Sequence, residues 1–282
     1  MHGESGSARR RVVHPSVEAV VRAFLASVDR SRPGLVEGLY LTGSLALGDF
    51  RPRRSDVDFV AVTAQRLSAA DVTALEQAHA ETRAQRARPY FDGVHVTWQD
   101  LAAGPASCPA VPYTLRGKFR TDDAFEVNPV TWAVLAQHAV PARGPVPGGF
   151  EVGVDRAALH DWTLGNLDGY WRRWHTAHRT PLSLAGLAAL GGWATAWGVL
   201  GVSRLHHTAA TGEIVSKSAA GRYALETFAP EWHPVIEEAL RLHGSVTAPP
   251  AAPSRPLRNP FARRRATADF VAMVVEDAVP AR

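Results

Sequence analysis

LYLTGSLALGDFRPRRSDVDFVAV, residues 39–62, is the stretch from which the fold is read. Leu39-Tyr40-Leu41 is a short apolar strand running into Thr42-Gly43-Ser44, and Val57 to Val62 is a second strand. Gly43 lets a phosphate approach the backbone, and Ser44 offers an N–H and a hydroxyl to a phosphate oxygen. Asp56-Val57-Asp58 enters the second strand, and period-two alternation puts both carboxylates on one face with Val57 turned into the core. Adjacent carboxylates repel. A divalent cation between them relieves this, and Mg²⁺ prefers carboxylate and phosphate oxygens. Either half alone reads as an ordinary turn or an exposed strand face. The two in order, each at a strand end, point to a site for phosphate and metal.

Upstream, Val17, Val20, Val21, Phe24, Leu25 and Val28 fall at helical spacing over residues 15–29, and Pro15 suits the first turn. Downstream, a helix is expected over 68–87, with Ser68 as N-cap and Asp71 three residues on. A third strand follows over 93–98 (GVHVTW), then a Pro/Ala/Gly-rich loop over 102–112 and a helix over 128–139. The turn-rich run 141–149 is the expected domain boundary. Beyond it only helices are expected, over 155–178, 182–200, 201–210, 216–228 and 231–243. A Pro-rich connector over 245–260 and an apolar helix over 266–278 close the chain. The expectation is an α+β protein: a small mixed sheet with helices over 1–150, then an all-α domain over 151–282.

Composition narrows the function classes. At 282 residues and 46% hydrophobic the chain can bury a core, which excludes wholesale disorder. A single cysteine, Cys108, excludes a disulfide scaffold and a multi-cysteine metal site, and no histidine motif makes it a nucleophile. The basic start MHGESGSARRR is followed by no apolar stretch, so no secretory signal is expected and the cytoplasm is the expected location. The net charge is only +4, and the arginine clusters at 9–11, 51–54, 83–88 and 263–265 read as solvated rather than as a nucleic-acid surface. The uncharged run Thr180 to Ser203 begins with Pro181 and holds five glycines, so it reads as buried helix rather than a membrane span. His206-His207 and His175/His178 lack a carboxylate or cysteine at a motif spacing and do not read as zinc ligands.

Gly43-Ser44, eleven residues, then Asp56-x-Asp58 resembles the signature of the nucleotidyltransferase superfamily related to DNA polymerase β. Residues 201–228, GVSRLHHTAATGEIVSKSAAGRYALETF, and 231–240, EWHPVIEEAL, resemble the helical C-terminal domain of the aminoglycoside adenylyltransferases that modify streptomycin and spectinomycin. The matching features are Ser203-Arg204, Thr211-Gly212, Ile214, Ser216-Lys217 and the helix from Ala219 to Leu225. The resemblance implies that Gly43 and Ser44 hold the triphosphate of ATP and that Asp56 and Asp58 hold Mg²⁺. It places Arg204 and Lys217 on the phosphates and His243 where an aromatic residue stacks on adenine. The implied reaction transfers AMP to a hydroxyl of a small molecule and releases pyrophosphate. A monomer, with no membrane or nucleic-acid partner, is expected.

Two departures qualify this. The resembled enzymes use a glutamate on the third strand, in a Val-Glu-Val-Thr context, as the base; the corresponding text here is Val94-His95-Val96-Thr97. Three readings stand open: His95 is the base, the base lies elsewhere or comes from the substrate, or chemistry is lost. Asp92 is three residues from His95 and on a regular strand points to the opposite face, unless a bulge at Gly93 intervenes. Second, a site for polycations needs carboxylates, and LSLAGLAALGGWATAWGVLG has none. Trp193, Trp197, Trp162, Trp171 and Trp174 supply aromatic surface instead, either as core or as a pocket for a flatter, less cationic acceptor. Asp161, Asp168, Asp122, Asp123 and Glu126 are the remaining candidate acids. The alternatives are a nucleotide-binding sensor of the same fold and an enzyme that modifies a protein.

Overall fold

Helix α1 (Pro15–Ser31) buries Val17, Val20, Phe24 and Val28, the stripe its spacing predicts. The computed structural model describes residues 13–122, 126–180, 183–245 and 257–279. Strand β1 (Gly38–Leu41) leads into the single turn of helix α2 (Gly43–Ala46) and, after a loop, strand β2 (Val57–Thr63). Helix α3 (Ala69–Gln85) starts on the expected Ser68–Asp71 capping box and carries the chain to β3 (Phe91–Thr97). Then come α4 (Trp98–Ala103), the hairpin β4 (Tyr113–Leu115) and β5 (Lys118–Arg120), α5 (Pro129–His138) and β6 (Val140–Arg143).

The sheet order is β5-β4-β3-β2-β1-β6, and only β2 and β3 are parallel, so the sheet is mixed. One face, with Leu39, Leu41, Val57, Phe59 and Ala61, packs on α1 and on Leu75 and Ala78 of α3. The other, with Tyr40, Val60, Val62, Val94 and Val96, packs on Leu101, Trp132 and Leu135. Helix α4, the β4–β5 hairpin and β6, an edge strand inside the turn-rich run, go beyond the sequence expectation.

The rest is helical: α6 (Arg156–Asn166), a wide π turn (Leu167–Trp171), α7 (Arg172–Arg179), α8 (Leu184–Ala188), α9 (Gly192–Thr211), α10 (Lys217–Thr227), α11 (His233–His243) and α12 (Pro260–Ala278). Helix α9 is the axis, and α6, α10, α11 and α12 pack around it. Its core partners include Ile236, Leu240, Phe270, Val271 and Val274. The break expected at Gly201 is absent. Gly201 sits inside α9 because the ring of Trp171 fills its side-chain space; an added Cβ would lie 2.5 Å from that ring. The break falls at Gly191, the N-cap of α9, and the single helix expected over 155–178 is interrupted by the π turn. Helix α12 starts at Pro260 rather than 266, because the side chain of Asn259 caps it. No described helix is long and apolar enough to cross a membrane.

Candidate active site

The floor is built where β1 ends. The Thr42 N–H donates to the Asp58 carbonyl at 2.9 Å, and the chain turns at Gly43 with φ +55°. A Cβ at Gly43 would lie 1.8 Å from a carboxylate oxygen of Asp58, so only glycine brings the backbone this close. Ser44 follows in the first turn of α2. Asp56 and Asp58 share a face at the start of β2, and Arg88 reaches Asp56 from the surface at 3.3 Å. Burial first, then the carboxylates of Glu126, Asp56 and Asp92, push the Asp58 pKa up to about 7. Burial also raises Asp56, against the pull of Arg88.

Strand β3 supplies the third carboxylate. The parallel ladder pairs Asp58 with Asp92 and Ala61 with His95 in unbroken register, with no bulge at Gly93. Aligned residues of neighbouring strands point to the same face, so Asp92 joins Asp56 and Asp58. Its carboxylate accepts the N–H groups of Arg116 (2.7 Å) and Gly117 (2.8 Å). These two residues form the β4–β5 turn, with φ +52° and +67°, as a tight two-residue hairpin requires. Burial raises the Asp92 pKa against those two bonds.

His95 lies on the opposite face, and this corrects the expectation that it serves as the base. It is 2% exposed and packs among Phe24, Phe59 and Phe119. Its Nε2 lies 3.2 Å from Nε2 of His79, and its Nδ1 lies 3.2 Å from the Pro112 carbonyl. A carbonyl only accepts, so Nδ1 carries the proton and Nε2 receives the N–H of His79. Burial pushes the His95 pKa down to about 4. The reading through Val-x-Val-Thr matched letters, whereas the strand's period of two assigns the face.

The opposite wall comes from the helices. Arg204 projects from α9, its Nε donating to the Val215 carbonyl at 3.0 Å. Lys217 is the first residue of α10, and its Nζ lies 4.9 Å from the ring centre of Trp197. Among the described residues neither has a carboxylate within ion-pair distance, though both feel Asp58 and Asp49. Burial lowers the Lys217 pKa, and Arg204 beside it adds to this. His243, the last residue of α11, has Nε2 3.3 Å from Asp49.

Asp49 also accepts the backbone N–H (3.1 Å) and hydroxyl (2.8 Å) of Ser218 and pairs with Arg51. Burial alone would raise its pKa, but the bonds from His243, Ser218 and Arg51 outweigh that and hold it well below the usual carboxylate range. Arg51 reaches the Gly244 carbonyl, and Arg54 the carbonyls of Leu242 (3.1 Å) and His243 (3.3 Å). The loop between the two N-terminal motifs thus ties α2 and β2 to α10 and α11. Sequence reading missed Asp49, because its partners stand far away along the chain.

Two cavities meet at Gly43, Asp56, Asp58, Trp197, Arg204 and Lys217. The first, about 690 Å³, adds Ser44, Arg54, Trp193 and His243. The second, about 600 Å³, adds Asp92, Glu126, Trp162, Tyr170 and Trp171. Both are of a size for small-molecule ligands. Gly43, Ser44, Asp56, Asp58, Arg204, Lys217 and His243 therefore share one cavity, and His95 lines neither.

Of the other acids weighed, Glu126 lines the second cavity. Asp122, Asp161 and Asp168 are exposed beside Arg120, His160 and Arg172, and Asp123 lies outside the described residues. Trp174 is core, whereas Trp193 is 66% exposed and stacks on Trp197. His206 is bonded to Tyr223 and Asp277, and His178 stacks on Trp174. Burial pushes the Cys108 thiol up to about 11.

Among the described residues no three His, Cys, Asp or Glu side chains converge as a ready-made metal cage. The donor set Asp56 plus Asp58 nevertheless suits Mg²⁺, which takes one or two carboxylates and completes its shell from phosphate and water. The shared repulsion that raises Asp58 is what a cation would relieve.

Residues 21–97 match the nucleotidyltransferase domain family, and residues 183–264 match the aminoglycoside adenylyltransferase C-terminal domain family. Among solved structures, the chain resembles spectinomycin adenyltransferase AAD(9) from Enterococcus faecialis, solved with ATP and spectinomycin. The TM-score is 0.59 at 12% identity, over 92% of this chain and 99% of that one, a likeness of fold. No curated protein matches the chain.

Proposed function

Starting from an aminoglycoside adenylyltransferase-like protein, an enzyme of the nucleotidyltransferase type, we propose that it transfers AMP from ATP to a hydroxyl of a small molecule. The observation that carries this is the set of three carboxylates, Asp56, Asp58 and Asp92, facing Arg204 and Lys217 across a cleft with a cavity on either side. The larger cavity takes the nucleotide. Ser44 and the backbone at Gly43 hold phosphate oxygens, and Arg204 and Lys217 neutralise the β- and γ-phosphates. Trp193 and His243 flank the space left for the base. Asp56 and Asp58 would hold Mg²⁺, which supplies charge stabilisation at the phosphates.

The acceptor occupies the second cavity, with its hydroxyl toward Asp92. Asp92 takes the hydroxyl proton as the oxygen attacks the α-phosphorus, and the bond to the β-phosphate oxygen breaks. The departing pyrophosphate keeps its contacts to Arg204 and Lys217. The two backbone donors hold Asp92 in place, while burial keeps it more basic than a free aspartate. Asp92 as a third carboxylate supports transfer over the sensor alternative.

Pyrophosphate release from Mg²⁺ and ATP with a panel of acceptors tests the reading. Asp56→Asn should abolish release. Asp92→Asn should lower turnover about 10²–10⁴-fold, the usual worth of a general base, with ATP affinity nearly unchanged. Unaltered turnover in either variant would refute the assignment.

A further inference from the structure

Beside the transfer site, the second cavity is walled by rings. Trp162, Tyr170, Trp171 and Trp197 all line it. Tyr170 and Trp171 lie 5.1 Å apart between ring centres, Trp171 and Trp197 6.1 Å, and the Trp197 N–H reaches the Tyr170 hydroxyl at 3.3 Å. Tyr170, Trp171 and Trp197 form one contiguous set of rings, anchored in the helical core through Trp171. Tyr170 is 41% exposed, so part of that surface is open to a ligand.

The charges on the cavity are nearly all committed. Asp56 and Asp58 face the cation position, and Asp92 takes the proton. Among the described residues Glu126 is the acid left over, its carboxyl accepting the Thr131 hydroxyl at 3.1 Å. Arg116, Arg204 and Lys217 line the same space and repel further positive charge. The described part of the helical wall that precedes Ser203, residues 183–202, holds no aspartate or glutamate. A second or third ammonium group entering here would meet Arg116, Arg204 and Lys217 and find no uncommitted carboxylate among the described residues. One amine, by contrast, can sit between Glu126 and the aromatic faces.

Resting on the adenylyl-transfer reading, we propose that the acceptor is a ring-containing hydroxyl compound with a broad apolar face and no more than one amine, not a polycationic aminocyclitol.

Direct binding tests this apart from chemistry. The full chain, with Mg²⁺ and α,β-methylene-ATP, is titrated by tryptophan fluorescence. The probes are lincomycin and puromycin, each with one basic amine, sugar hydroxyls and an apolar portion, against streptomycin and spectinomycin. At least one single-amine probe should bind at least ~10-fold more tightly than both aminocyclitols, since their extra positive groups meet Arg116, Arg204 and Lys217 rather than a free carboxylate among the described residues. Tyr170→Leu, at an exposed position, and Glu126→Gln should each weaken that probe about 5-fold or more, the scale of one cation–π contact or one exposed charge pair. Equal or tighter binding of streptomycin or spectinomycin overturns the proposal. So does binding of none of the four, or binding indifferent to both variants. If a single-amine probe binds as expected but yields no pyrophosphate with ATP, the transfer reading falls while the cavity's ligand class stands.

Discussion

Acidification should destabilise this protein through two histidines that line neither cavity of the candidate site. His79 and His95 are buried and neutral, sharing one hydrogen bond between α3 and β3. Burial pushes His95 down to about 4 from 6.5, and burial together with His95 lowers His79 well below 6.5. The folded pKa values lie below the unfolded one, so the unfolded chain binds protons first. Stability is complete above pH 6.5 and declines as the pH falls toward 4. For His95 a shift of about 2.5 units at ~1.4 kcal/mol each is worth ~3 kcal/mol in full, of which ~2 is lost by pH 4.5. Urea unfolding followed by circular dichroism at pH 7, 6, 5 and 4.5 gives the curve. The control is the double variant His79→Leu/His95→Leu, which removes both partners at once and leaves no orphaned N–H. The Pro112 carbonyl keeps its bond from the His95 backbone N–H at 2.9 Å. Wild type should lose at least about 2 kcal/mol more than the variant between pH 7 and 4.5, since His79 adds to the loss from His95. Parallel curves would refute the buried-neutral assignment. A folded double variant without transfer activity would return His95 to the site.

Two further perturbations probe the nucleotide side. Gly43→Ala places a Cβ 1.8 Å from the Asp58 carboxylate at φ +55°, so it should cost about 1–3 kcal/mol in thermal unfolding and suppress pyrophosphate release; a fully active variant would mean that this close approach is dispensable. Lys217→Met should weaken ATP binding about 10- to 100-fold, the worth of one charge-assisted hydrogen bond. Because Lys217 lies over Trp197, it should also change the tryptophan fluorescence response to ATP; an unaltered affinity in the titration would remove Lys217 from the phosphates.

Much of the architecture is legible because it is local. Gly43-Ser44 and Asp56-x-Asp58 declare themselves through spacing, and Ser203-Arg204 and Ser216-Lys217 through their text, and the structure brings Gly43, Ser44, Asp56, Asp58, Arg204, Ser216 and Lys217 around one cavity. What escapes the sequence depends on registry or distance. Asp92 pairs with Asp58 only because β2 and β3 align residue for residue, and the letters around His95 pull the eye to the wrong face. The β4–β5 hairpin is three residues a side, too short for a periodic signal, although Arg116-Gly117 between YTL and KFR is the kind of turn pair that marks one. Asp49 finds Ser218 across the fold, and nothing in either segment announces the other. The tryptophans divide between core and cavity by rotations along α9 and the π turn that composition does not encode.

The hairpin has a bearing on how the site can change. Two main-chain amides grip the Asp92 carboxylate, and main-chain amides are indifferent to which side chains they bear. Substitution at position 116 by residues that accept its positive φ therefore leaves the Asp92 carboxylate's setting almost untouched, while the rings lining the same cavity are contributed by side chains. Such a layout separates what is held from what is free to vary: the proton-handling end is written in backbone, the acceptor end in side chains. A library that diversifies Trp162 and Tyr170 while sparing Gly117 and Trp197 should move substrate preference and leave the transfer step intact.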